Sequence, residues 1–340
     1  MRYPEFMKPG DTIGFIAPSF GCTTEPYKSG FAEAQRVLKA KGFGLDLGPN
    51  CYASDGIGIS STPDNCAQEL MEYYRKEDNQ VLFSCGGGEL MCEILPYLDL
   101  EALRQAKPKW YMGNSDNTNF TFLSATALDT AAIYGPNAST FGMRPWSECV
   151  TDAFMLLQGK QTAVHSYELW QKESLKDEEH PLEPYNLTEP VVIRRFPDQD
   201  VKVEGRLLGG CLDCLCNMSG TRFDYVKQFN EKYGQEGIIW FLEACDLNVL
   251  GIRRAIWQLK ESGWFEKVKA FLIGRPYIYG EEIFGLDQYR AVTDLLEEFD
   301  VPILMDLDIG HVPPAMPLVV GASVIVKSVG NKLAIEYTWK

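Results

Sequence analysis

No stretch of this 340-residue chain approaches the ~20 apolar residues that a membrane-spanning helix requires. Residues 1–11 lack the apolar core of a signal peptide, which makes a cytoplasmic location the expectation. Positive charge is also short: 32 Lys and Arg against 47 Asp and Glu give a formal net charge of −15. That balance argues against nucleic acid or an anionic membrane as a partner, while leaving room for a locally basic pocket. Histidine is scarce, so any chemistry that needs an imidazole must use His165, His180 or His311. Tandem repeats and low-complexity tracts are absent. A second paired cysteine spacing is missing too. The ten cysteines are scattered, and Cys85, Cys92 and Cys245 sit in apolar segments, as reduced thiols acting as small hydrophobes do. Cys211, Cys214 and Cys216 cluster, but no second Cys/His pair lies near them, whereas closed zinc sites use four ligands in recognisable pairs.

The chain is long for one hydrophobic core, so two domains are expected. In the first half, Thr12 to Ala17 reads as a strand and Phe31 to Ala40 as a helix stopped at Gly42. Asp64 can cap a helix running to about Tyr74, and Gln80 to Cys85 reads as a buried strand that breaks at Gly86-Gly87-Gly88. A helix from about Leu90 then leads to an apolar strand at Trp110, Tyr111 and Met112. Strands separated by helices of this length predict a parallel sheet covered on both faces, with sites at the carboxyl ends of its strands. Residues 1–165 are read as this α/β domain. Residues 166–200, rich in charge and holding Pro181, Pro184, Pro190 and Pro197, read as a connection or flap. Residues 201–340 read as a mixed α/β domain, closed by a hairpin around Gly330-Asn331.

Ser115 stands between the Trp110 strand and a helical stretch from Thr118 to Leu128. A serine at a strand-to-helix turn is where a nucleophile elbow sits, although Asn117 occupies the position of the usual second glycine. A plain Gly-Asn-Ser turn is the alternative. A serine hydroxyl needs a base, and the base needs an orienting acceptor. His311 lies in a Gly/Pro-rich loop after a strand, whereas His165 and His180 fall in the polar connection. Glu243 directly follows five apolar residues, and a carboxylate buried there requires a partner. That partner is either a histidine N–H or Arg253 or Arg254, with Asp246 the rival acid. An oxyanion hole could use the amide of Asp116 and one from the triple glycine, where the backbone can approach a substrate. The triple glycine is otherwise a tight turn. No Gly-Lys-Ser/Thr follows it, which disfavours a phosphate loop.

Several segments in order carry a resemblance: Pro9 to Ser19, Gly87-Gly88 followed by Ile94 to Asp99, Gly113-Asn-Ser-Asp116, Leu208-Gly-Gly210, Phe241-Leu-Glu243, Ile252 to Leu259 with Gly263-Trp-Phe265, Ile273-Gly-Arg-Pro276, and Gly310-His311. Over nearly its whole length the chain resembles the LD-carboxypeptidase family of serine peptidases, in the branch of the microcin C self-immunity peptidase. The resemblance implies an N-terminal domain like class I glutamine amidotransferases, a C-terminal mixed α/β domain, a homodimer, and neither metal nor cofactor. It implies Ser115 as nucleophile, His311 as base and Glu243 as its orienter. It also implies an oxyanion hole from the Asp116 amide and that of Gly88, with Gly87 touching substrate. The chain departs from the family pattern at Glu89-Leu-Met-Cys92 and at Cys211 to Cys216.

Three functions follow for comparison. The first is hydrolysis of an amide in a peptidyl- or aminoacyl-nucleotide, with an aromatic such as Trp170 able to stack on the base. The second is release of D-alanine from murein tetrapeptides. The third is a binding protein that keeps the fold without the chemistry. The substrate is in each case a small molecule or peptide.

Overall fold

The computed structural model describes residues 1–56 and 58–339. Two sheets organise it. The first has six strands in the order Leu318–Val320, Ala132–Tyr134, Trp110–Gly113, Val81–Ser84, Thr12–Ile16, Gly44–Leu47. The last five of these run parallel, and Leu318–Val320 pairs antiparallel with Ala132–Tyr134. Val81–Ser84, Trp110–Gly113 and Ala132–Tyr134 are buried at every residue. Both faces of a parallel sheet are covered, so these strands read as continuous apolar runs instead of alternating ones.

The second sheet has eight strands. Its parallel centre is Val201–Cys211, Ile238–Glu243, Val268–Gly274 and Ile303–Leu307. The hairpin Ser323–Val329 and Lys332–Tyr337 joins it antiparallel, as the Gly330-Asn331 turn predicts. Helix Thr118–Thr126 is buried at all nine residues and lies between the two sheets. It touches Ala132–Tyr134 on one side and Val201–Cys211 on the other. The Cys211 amide donates to Thr118 Oγ1 at 3.0 Å, so the helix that follows Ser115 is also the joint between the two halves.

Three elements differ from the sequence reading. The helix expected from Leu90 is a 3-10 segment, Met91–Tyr97, followed by a short α-helix, Leu100–Gln105. Pro96 cannot donate to an α-helical ladder, and its ring crowds the preceding turn. Asp64 lies in the first turn of Pro63–Arg75 while Thr62 holds the N-cap position. Residues 166–200 are not all loop. Arg194–Phe196 forms an edge strand against Ile303–Leu307, and Leu169–Trp170 pairs with Glu189–Pro190. Val191 and Ile193 are buried while Val192 is exposed, a period-two pattern that the surrounding charges and prolines obscure. Among the described residues, no helix is long and apolar enough to cross a membrane.

Candidate active site

Strand Trp110–Gly113 delivers the chain to Ser115, which adopts φ +63°. A non-glycine residue in the left-handed region costs about 1–3 kcal/mol and persists only where its surroundings hold it. Asn117 does the holding. Its Nδ2 donates to the carbonyls of Gly86 and Asn114 at 2.8 and 3.0 Å, and its Oδ1 accepts from Tyr111 Oη. A Cβ on Gly113 would lie 2.7 Å from Asn117 Cγ, so the small residue at 113 is what lets this side chain fold back. Asparagine at the second glycine position therefore fastens the elbow to the Gly86–Gly88 turn. Asp116 strengthens the same joint. Its buried carboxylate accepts from Ser19 Oγ, from the Met91 amide at 2.8 Å and from Asn119 Nδ2 at 2.9 Å. Gly87 packs on the serine, since a Cβ there would lie 3.2 Å from Ser115 Oγ. Gly88 lines the same cavity as Ser115 and Asp116.

Ser115, His311 and Glu243 form one hydrogen-bonded chain. Ser115 Oγ lies 2.8 Å from His311 Nε2, and His311 Nδ1 lies 2.8 Å from Glu243 Oε2. Glu243 ends strand Ile238–Glu243 and is 1% exposed. Its other oxygen accepts from Tyr134 Oη at 2.5 Å, and Tyr134 Oη in turn accepts from the Ser115 amide at 3.0 Å. Tyr134 thus ties the acid to the elbow. Burial, then the Glu243 charge, push its phenol well above its ordinary range, so it remains a donor. Burial works against ionised Glu243, but His311 and the hydrogen bonds from His311 and Tyr134 outweigh it and hold the carboxyl below its ordinary value. Burial also pulls His311 down, yet the Glu243 charge and contact with Cys245 raise it well above 6.5. The arrangement can move a proton from Ser115 Oγ to His311 Nε2 while Glu243 fixes the ring and faces the resulting charge.

The alternatives resolve by position. Arg253 pairs with Asp294, and the ion-pair partner of Glu243 is His311. Asp246 is exposed at the cavity mouth, with its amide on Asp213 Oδ1. His180 is exposed beside Asp177, and His165 sits on an edge strand. Trp170 is buried, with the Arg275 guanidinium 4.6 Å above its ring and Tyr279 packed against it, so it offers no open face for a base. Cys216 turns away to the Asp213 carbonyl, so the three clustered cysteines do not converge. Cys211, Glu243 and His311 do place ligand atoms within 4.8 Å of one another, the one such group among the described residues. Both His311 nitrogens there are already hydrogen-bonded to Glu243 and Ser115.

The His311 loop is braced from below. Arg275 is buried, donates to the Asp306 carbonyl and pairs with Asp308 at 3.1 Å, three residues before the histidine. Asp308 also accepts from the Tyr167 amide at 2.9 Å. Gly310, at φ +102°, lets this loop close on Glu243, because a Cβ there would lie 2.4 Å from Glu243 Oε2. Gly310→Ala is expected to displace the carboxylate and lower kcat/KM about 100-fold, as misplacements near 1 Å do. It should also destabilise the fold by about 1–3 kcal/mol. Steady-state rates and thermal unfolding read the two effects separately.

Tyr134 and the Asp116 side chain are not singled out by the sequence, and Asn117 stands out there only as the residue in place of the second glycine. Tyr134 carried one usable signal, a polar aromatic at the end of a buried strand before Gly135-Pro136. The two departures from the family pattern, at Glu89–Cys92 and Cys211–Cys216, both contribute lining to the cavity beside Ser115.

The chain is similar to known proteins over most of its length. Residues 13–135 match the LD-carboxypeptidase N-terminal domain and residues 204–326 the LD-carboxypeptidase C-terminal domain. The microcin C7 self-immunity protein MccF of Escherichia coli is 30% identical, over 96% of this chain and 91% of that protein. The murein tetrapeptide carboxypeptidase of Pseudomonas aeruginosa is 24% identical, over 88% of this chain and 87% of that protein. A solved structure of the microcin C7 self immunity protein in complex with aspartyl sulfamoyl adenosine superposes with TM-score 0.82 at 26% identity, covering 99% of this chain and 98% of that one. On the two domain matches and the full-length relatives together, the chain belongs to the LD-carboxypeptidase family of serine hydrolases.

Proposed function

We propose that this protein is a peptidase of the microcin C immunity type. It hydrolyses an amide bond in a peptidyl- or aminoacyl-nucleotide, with Ser115 as nucleophile, His311 as base and Glu243 as its orienter. The observation that carries the reading is the unbroken chain from Ser115 Oγ through His311 to Glu243, at 2.8 Å in each step. His311 Nε2 takes the hydroxyl proton while Oγ bonds to the substrate carbonyl carbon. The oxyanion is received by the amides of Asp116 and Gly88, each such donor being worth about 100- to 1,000-fold in rate. The intermediate collapses, the C–N bond breaks, and His311 returns the proton to the leaving nitrogen. Water, activated by the same histidine, then splits the serine ester and frees the acid.

The nucleotide substrate is favoured by the relative at 30% identity, which is a self-immunity protein, over the murein enzyme at 24%. The reading includes an N-terminal sheet of the class I glutamine amidotransferase kind, a cytoplasmic location and a homodimer. Exposed Tyr277, Ile278, Tyr279 and Phe284 supply apolar surface for an interface. The second reading is release of D-alanine from murein tetrapeptides, favoured by the relative that carries that name. Product analysis on both substrates decides between them. An aminoacyl-sulfamoyl adenosine should be split to amino acid and nucleoside sulfamate. Release of D-alanine with the conjugate left intact would overturn the first reading.

A further inference from the structure

The charged side chains lining the cavity beside Ser115, about 120 Å³, are all of one sign. Glu89, Asp213 and Asp246 contribute carboxylates, and no lysine or arginine lines it among the described residues. Asp213 is engaged, since its oxygens accept from the amides of Cys245 and Asp246. The carboxylates of Glu89 and Asp246 make no hydrogen bond or ion pair among the described residues, and both residues are exposed where they line the cavity. Exposed carboxylates alone would be an ordinary solvated face. Asn119 makes the difference. It lines the same cavity, is 1% exposed, and its Oδ1 has no hydrogen-bond partner. Its orientation is settled, because Nδ2 is spent on the Asp116 carbonyl and carboxylate, both at 2.9 Å and both acceptors. A buried acceptor left empty costs about 1–3 kcal/mol unless a donor reaches it.

We propose that this cavity is an ammonium subsite, and that the substrate group entering it carries a primary ammonium. A –NH3⁺ group offers three donors and a full positive charge, matching the Asn119 oxygen within and the two unpaired carboxylates at the rim. A carboxylate entering the same space would meet like charge from Glu89, Asp213 and Asp246, with no lysine or arginine among the lining side chains to offset it. Burial, and then the charges of Asp246, Asp116 and Asp213, already raise the Glu89 carboxyl above its ordinary range, a repulsion that a bound cation would relieve. The proposal rests on the aminoacyl-conjugate reading above, in which the ammonium is either the α-amine or a basic side chain.

The test is hydrolysis of lysyl-sulfamoyl adenosine beside its Nα-acetyl and Nε-acetyl forms, with kcat/KM measured for each. Masking the amine that enters the cavity should cost about 10- to 100-fold, the range for hydrogen bonds to charged groups. Which mask costs identifies the source of the ammonium. The same comparison on the Glu89→Gln/Asp246→Asn protein should show most of that cost gone while turnover of the masked substrate persists. Equal rates for all three compounds, or a cost undiminished in the double variant, would overturn the proposal. If no nucleotide conjugate is cut and a murein tetrapeptide is, the parent reading fails. The subsite is then judged on lysine-containing tetrapeptides with the side-chain amine free or acetylated, where equal rates overturn it as well.

Discussion

Ser115→Ala is expected to lower kcat by about 10⁴- to 10⁶-fold, the range seen when the nucleophile of a serine-histidine-acid constellation is removed. The reason lies in how little else the hydroxyl does. Among the described residues its one hydrogen bond is to His311 Nε2, at 2.8 Å. The elbow is held by other groups: the Asn117 amide on Gly86 and Asn114, the Asp116 carboxylate on Ser19 and Met91, and the Ser115 amide on Tyr134. Alanine keeps the Cβ and tolerates φ +63° no worse than serine does. The variant should therefore unfold within a few degrees of the parent while losing turnover, so a large rate loss cannot be ascribed to misfolding. The remaining rate over water would come from the oxyanion-hole amides and from binding. Hydrolysis that continued unchanged in the variant would remove Ser115 from the mechanism. A parent protein that cut neither substrate type would favour a binding role instead.

The residues that were legible from sequence are those whose signal is local. Ser115 stands out because a buried strand, a Gly-Asn turn and a helical run adjoin it within about fifteen residues. Glu243 stands out because a charge after five apolar residues is anomalous wherever the strand lies. His311 was reached by scarcity, there being only three histidines. What joins them is not local: Glu243 and His311 are 68 positions apart, and Ser115 and His311 are 196 apart. Tyr134 shows the limit. Its role is set by Glu243, 109 positions away, and by the Ser115 amide, and its three-residue strand is too short to show a period. Asp116 was legible for its amide but not for its side chain, because Ser19 and Met91 come from separate elements. The edge strand Arg194–Phe196 stayed hidden for a related reason. A three-residue strand is recognised by its neighbour Ile303–Leu307, which lies more than a hundred positions further along the chain.

Glu243→Gln is expected to lower kcat by about 10⁴-fold and to move the acid limb of the pH profile downward. The rate loss follows from tautomer control. Glutamine can present its N–H2 to His311 Nδ1, which leaves the proton on Nε2, where it cannot accept the one from Ser115. The pH shift follows from charge. In the parent, burial alone would depress His311, but the Glu243 carboxylate overrides it and the pKa lies well above 6.5. A base must be neutral to act, so parent activity should rise with pH through a midpoint above 6.5. In the variant the opposing charge is gone and burial acts unopposed, so the residual activity should rise at lower pH. The same linkage gives stability the opposite sign. The raised His311 pKa stabilises the fold fully below the unfolded value of about 6.5, and that contribution fades as pH climbs through the folded value. The lowered Glu243 pKa contributes above its unfolded value of about 4.5 and fades as pH falls through the folded one. The ion pair therefore stabilises most at pH values where the base is protonated and the enzyme idle. The stability gap between parent and Glu243→Gln, measured by denaturant unfolding at a series of pH values, should close over the interval in which parent activity rises. An acid limb below pH 6.5 in the parent, or one at the same pH in both proteins, would mean that Glu243 does not set the state of His311.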